Sequence, residues 1–247
     1  MNRALLKQDA KNAMSLANPH PVLTTLVLIA VSLAASMIFG VVTNLFNFTG
    51  FITGYAAFSL IGALVAMVSG VVISLLLATV QFGYTVYCLK VFKQEETGIN
   101  ELFAYFPMLL KVFGLSLWIC LFVMLWSCLC YIPGIIAALR YSQAFFILAE
   151  NPEKGIRECV NESKELMSGR LWEFFVLQLS FILWGILTVI TCGIASLYVQ
   201  PYMTTTYAGY YLSLKPVNSY DGGQAAYSDP VFNAGQDYGS QGSNGQF

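Results

Sequence analysis

Charge is what this sequence has least of. Only 10% of its 247 residues are Asp, Glu, Lys or Arg, against roughly 25% in a soluble domain. With 57% hydrophobic residues, most of the chain needs a solvent other than water, which excludes a soluble enzyme and a largely disordered protein. The formal net charge of −1 supplies no field for a phosphate polymer, so no nucleic-acid partner is expected. Histidine is nearly missing as well. His20 is the single one, and without a second no HExxH zinc site or Ser–His pair can be drawn. The cysteines (Cys88, Cys120, Cys128, Cys130, Cys159, Cys192) lack paired CxxC spacing, so neither a metal nor another cofactor is implied.

Inside the apolar stretches Asp, Glu and His are absent altogether. Proton relays, carboxylate-ring cation channels and intramembrane aspartyl proteolysis all need such groups there. No catalytic residue is assigned, and the chain is expected not to be an enzyme.

What is present is apolar length. A membrane helix takes about 20 mostly apolar residues, because the hydrocarbon core is about 30 Å thick and a helix rises about 1.5 Å per residue. Residues 22–42, 58–88, 112–131, 134–148, 174–190 and 194–213 meet or approach that requirement. The expected fold is all-α, a polytopic membrane bundle of six transmembrane helices with short amphipathic cytoplasmic surface helices. The second span reads as one long, tilted helix, with 44–57 as an outer connection. Placing both termini in the cytoplasm puts 11 of the 12 basic residues on the inner side and leaves the outer connections uncharged, as positive-inside sorting requires. Residues 1–40 open on a basic stretch before an apolar one, and are read as an uncleaved first helix rather than a secretory signal.

Four segments complete the organisation. In residues 1–21, Leu6, Ala10, Ala13, Met14 and Ala17 share one helical face, which predicts an amphipathic helix on the inner surface. Residues 152–168 predict a cytoplasmic helix, with Asn151 as cap, Pro152 in the first turn and Gly169 at the exit. Its charges are mixed in sign, so it reads as packing against other inner segments rather than tethering anionic lipid. Asn100 is expected to cap a shorter helix carrying Leu102, Phe103 and Phe106. Residues 215–247, rich in Gly, Ser, Gln, Asn and Tyr, predict a disordered tail whose Tyr220, Tyr227 and Tyr238 could dock as a peptide.

Arg140 is the only ionisable side chain within a predicted span. A charge at a helix centre costs at least ~2.5 kcal/mol, so a partner is expected. With no acid at that depth, the candidates are Gln81, Gln143, Gln178 and Gln200, freed backbone carbonyls near Pro133, or a lipid phosphate. Pro133 and Gly134 predict a tight outer hairpin. A disulfide from Cys192 to Cys128 or Cys130 is geometrically conceivable under this topology. The small-residue face of Gly62, Ala66 and Gly70 allows close helix approach, within the chain or in a homodimer. Membrane lipids are the expected surroundings.

Ile132-Pro133-Gly134, Arg140-Tyr141-Ser142, the run Ile147–Pro152 (ILAENP), Glu162 through Gly169, Trp172 and the run Phe175–Phe181 (FVLQLSF) together resemble the bacterial integral-membrane family DUF975. The opening run Arg3–Lys11 and the Asn100–Phe103 stretch are similar to it too. The likeness extends over about residues 1–214, is specific over 131–181, and leaves out the tail. A more distant resemblance is to the membrane domain attached to some glycerophosphodiester phosphodiesterases. The likeness implies a multi-pass bacterial cytoplasmic-membrane protein and carries over no catalytic residue. The functional expectation is a scaffold or accessory component of envelope or transport machinery. The alternative is a transporter or lipid-binding protein with a cavity near Arg140.

Overall fold

The computed structural model describes residues 3–53, 56–129 and 131–215. The predicted tail beyond Lys215, with its three tyrosines, lies outside the described residues, as does Cys130. The chain divides after Pro216 into two units, and only the first is described. Among the described residues every regular element is helical: α1 (Arg3–Leu16), α2 (Pro21–Thr53), α3 (Ala56–Phe92), α4 (Glu101–Ala104), a 3-10 turn (Phe106–Met108), α5 (Leu109–Leu129), α6 (Tyr131–Tyr141), α7 (Ala144–Glu150), α8 (Ile156–Leu166), α9 (Leu171–Leu179), α10 (Ile182–Ile190) and α11 (Ser196–Leu214).

Five stretches are long and apolar enough to cross a membrane: Pro21–Phe46, Leu60–Phe92, Glu101–Leu129, Tyr131–Glu150 and Leu171–Ile190. They turn large apolar side chains outward, Leu33, Leu64, Leu121 and Ile190 among them. A surface of that kind is stable against lipid tails and unstable against water. The long second span is present as α3, unbroken over 37 residues. The first differs from expectation. Residues 44–53 are helical as part of α2 instead of forming an outer loop. The polar side chains that suggested a loop are satisfied inside the helix: Thr43 Oγ1 donates to the Phe39 carbonyl at 2.9 Å and Asn44 Nδ2 to the Gly40 carbonyl at 2.7 Å.

Besides Glu101–Leu129, which comprises α4, the 3-10 turn and α5, two further stretches are broken. The helix after Pro133 stops at Tyr141 and restarts at Ala144, and the next stops at Leu179 and restarts at Ile182. Pro133 and Gly134 lie in the first turn of α6, not in a connecting turn as predicted. Proline is tolerated there because the first N–H groups of a helix have no intrahelical acceptor. Gly134 still serves the hairpin, since a Cβ on it would come within 2.9 Å of Ser127 Cα on α5.

The core gathers where α1 meets α3 and α11. Leu6 and Ala10 of α1 join Phe82 and Phe92 of α3, Phe174 and Phe181, and Tyr210 and Tyr211 of α11 in one buried cluster. The amphipathic face of α1 is thus as predicted, with Leu6, Ala10, Ala13 and Met14 all buried. It packs on the bundle's own helices rather than on a lipid surface. His20 is exposed and its Nδ1 accepts the Val22 N–H at 3.3 Å, a boundary role at the start of α2. Close approach of α4 to α3 depends on Gly83, where a Cβ would stand 2.6 Å from the Leu102 carbonyl oxygen.

Two predicted caps are corrected. Asn100 makes no side-chain bond to α4, and Phe103 and Phe106 are exposed while Leu102 alone of the stripe is fully buried. The helix predicted over 152–168 starts at Ile156, four residues later than predicted. Pro152 sits in a turn with its carbonyl accepting the Lys111 ammonium, and Glu158 accepts the Gly155 N–H at 2.9 Å where the helix begins. Gly169 does mark the exit, in the left-handed conformation at φ +76°.

Candidate functional site

The break between α6 and α7 is the first place where polar chemistry enters a span. Ending α6 frees the Arg140 carbonyl, and starting α7 frees the Gln143 N–H. One hydroxyl from α8 answers both: Ser163 Oγ donates to the Arg140 carbonyl at 2.7 Å and accepts the Gln143 N–H at 3.2 Å. Gln143 is fully buried, its Nε2 donates to Ser142 Oγ at 2.9 Å, and its Oε1 has no partner. The break is therefore a built joint between a candidate span and α8. Burial also pushes the Cys159 thiol of α8 above its ordinary range.

The second place is the end of α7. Glu150 Oε1 meets Lys93 Nζ at 2.8 Å, while its Oε2 accepts the Tyr211 hydroxyl at 2.7 Å and the Lys215 ammonium. This carboxylate ties together the ends of α3, α7 and α11. Phe146 stacks on Tyr211, centroids 5.5 Å apart, and Lys215 lies 5.1 Å above that ring. Two ammonium groups share one largely buried carboxylate, so each protects the other's partner from water. Glu150 stands in the ILAENP motif, where no site role was expected for it. The signal for it is an acid immediately before Asn-Pro at the end of an apolar run, in a chain whose Lys93 and Lys215 also follow apolar runs.

The residues singled out from sequence do not form one site. Arg140 is exposed near the end of α6, Gln81 is exposed on α3, Gln143 is buried in the joint, and Gln178 is half-buried on α9. Among the described residues no hydrogen bond joins these four side chains. Of the hinge positions, Gly134 and Gly169 hold close packing and a left-handed turn as described. The small-residue face of α3 is occupied within the chain: a Cβ on Gly62 would meet Phe46 Cβ of α2 at 3.1 Å, and one on Gly70 would meet Phe39 at 3.5 Å. Cys128 and Cys192 are free thiols. Near the break between α9 and α10, the Lys7 ammonium lies 4.4 Å above the Phe181 ring, and burial lowers its pKa.

Two open grooves stand out. One, of about 430 Å³, runs along α3 beside Leu64, Val68 and Val72. The other, of about 340 Å³, has Ser116, Cys120 and Val123 of α5 on one wall and Ala138, Tyr141 and Phe145 on the other. Arg140 lines neither.

Long apolar helices joined at one charged end define a helical membrane protein. Residues 128–218 match the model of the family described as Protein of unknown function (DUF975), so the resemblance read from the motifs is shown over that stretch. The matched residues include Ser163, Glu150, Tyr211 and Lys215, whereas Gln81 and Lys93 and the opening Arg3–Lys11 run lie outside. Neither curated proteins nor solved structures give a match.

Proposed function

We propose that this chain is a non-enzymatic component of a bacterial cytoplasmic membrane, crossing it six times with both termini inside, and serving as a scaffold or accessory to envelope or transport machinery. The observation that carries this reading is the asymmetry of the bundle's ends. Lys93, Glu150 and Lys215 meet at one end, and Lys90 pairs with Glu101 at 2.6 Å beside them. The described residues at the opposite ends of α2, α5, α6 and α10 carry no charge. Positive-inside sorting places the charged end in the cytoplasm.

The sixth crossing is α11. Its 19 residues are too polar to qualify by composition, but the helix is buried among α1, α2, α3 and α10. Two of its buried hydroxyls are bonded, Tyr211 to Glu150 and Thr206 Oγ1 to the Tyr202 carbonyl at 2.7 Å. A polar helix is tolerated in a membrane when its neighbours, rather than lipid, surround it. Both hollows are peripheral grooves, which favours a structural component over a carrier that must enclose its cargo.

A membrane-impermeant maleimide tests the topology. Cys192, exposed between α10 and α11, should label from the outside of intact cells, whereas Glu165→Cys in a chain lacking Cys192 should label only after permeabilisation. The reverse pattern overturns the orientation. Crosslinking followed by gentle solubilisation tests the scaffold role, which fails if the chain is recovered alone at native expression levels.

A further inference from the structure

We propose that the flank of the bundle formed by α5–α6 and α10 thins the bilayer to about half its ordinary thickness, and that phospholipid headgroups pass between leaflets along it. This rests on the six-crossing reading but not on the scaffold role.

The bundle offers lipid two unequal heights. Along α2, exposed apolar side chains run from Leu23 to Ile52, a rise of about 43 Å. No residue between 22 and 89 is charged, so this flank suits a hydrocarbon core of about 30 Å. The other flank is cut short by cations at three points. Arg140 is exposed nine residues after Tyr131, a rise of about 13.5 Å along α6. It continues the exposed apolar face of Ile132 and Ile136, which stand eight and four residues before it. All of α10 is nine residues, about 13.5 Å, and the Lys7 ammonium stands 4.4 Å above the Phe181 ring where that helix begins. The third point is on α5, which α8 crosses. A Cβ on Gly114 would come within 2.8 Å of Ile156 Cδ1, and the exposed Arg157 is 5.5 Å from the Trp118 ring. Trp118 to Leu129 is a rise of about 16.5 Å.

These short faces are made for lipid, since Tyr131, Ile132, Leu183 and Val189 are all exposed. If the bilayer kept its 30 Å beside them, Arg140 would stand near the midplane, about three helical turns from the inner face and beyond the reach of snorkelling. A core of about 15 Å puts Arg140, Lys7 and Arg157 at headgroup level instead. Charged side chains at depth are accommodated by such thinning and by water defects. A headgroup that crosses half the hydrocarbon stays closer to water throughout, so its desolvation barrier falls. Passage of this kind runs along the protein surface and needs no enclosed cavity, and both hollows of the bundle are open grooves.

The test uses the full chain in vesicles of phosphatidylethanolamine and phosphatidylglycerol with a trace of nitrobenzoxadiazole-labelled phosphatidylcholine. Dithionite bleaches the outward-facing label at once. The protected half should then be lost at least about tenfold faster than in protein-free vesicles, while a soluble fluorophore trapped inside stays unbleached. Arg140→Leu, at an exposed position, should slow that loss by at least about threefold. Depth is read separately by power saturation of nitroxides attached through Gly185→Cys on α10 or Val41→Cys on α2, with the other reactive cysteines replaced by serine. A water-soluble nickel chelate should reach the α10 label at least about threefold more readily than the α2 label. If Cys192 labels from outside yet the two nitroxides lie equally deep, or the protected label is lost no faster than without protein, the proposal is overturned and the crossings stand. If Cys192 does not label from outside, the crossings themselves fail and the proposal falls with them.

Discussion

Glu150→Gln is the substitution that most directly probes the joined helix ends. The glutamine keeps the size and still accepts from Tyr211, but it deletes the charge facing Lys93 and Lys215. Removing one partner of a fully buried pair costs about 3–5 kcal/mol, and an exposed pair is worth at most about 1. Here the carboxylate side chain is 12% exposed and the lysines 24% and 16%, so the expected loss lies between, at about 2 kcal/mol. For a chain of this size that corresponds to about 4–8 °C in unfolding temperature, readable by thermal unfolding in detergent micelles. A double-mutant cycle with Lys93→Met isolates the pair. The two single variants should be less than additive by about 1 kcal/mol, because each already breaks the same contact. Strict additivity, or a Glu150→Gln protein as heat-resistant as the parent, would refute the claim that this carboxylate ties α3, α7 and α11 together.

Gly83→Val should destabilise by at least about 2 kcal/mol, since its Cβ meets backbone at 2.6 Å and α4 cannot move without breaking Lys90–Glu101. Gly185→Val, with nothing within 4 Å, should unfold at the parent temperature, and the contrast is the measurement. Ser163→Ala strands both the Arg140 carbonyl and the Gln143 N–H, so a loss of about 1–3 kcal/mol is expected. Hydrogen exchange should be faster at Gln143 than in the parent, while Ser180→Ala, which breaks only a local bond, should leave that amide unchanged.

Local rules were legible wherever a short stretch decides its own state. The buried face of α1 follows from the spacing of Leu6, Ala10, Ala13 and Met14, and the exit of α8 from Gly169. They failed where a partner distant in sequence claims a group. Pro152 lies ahead of the helix, its carbonyl accepting the Lys111 ammonium from 41 residues earlier in the chain. Arg140, a lone charge within a predicted span, is exposed on α6 and meets none of the glutamine side chains expected as its partners. Ser163 and Gln143, twenty residues apart, carry no mutual signal in the sequence.

Apolar length and the placement of lysines and arginines determined by themselves that the chain belongs in a membrane and which end of it is charged, because transfer of a side chain into lipid depends on that side chain alone. Which polar groups meet was decided only by the tertiary structure. Glu150 acquires Lys93, Tyr211 and Lys215, and Ser163 meets both the Arg140 carbonyl and the Gln143 N–H. These are pairings across space, and ion pairs and hydrogen bonds depend on distances that exist only once the helices have packed.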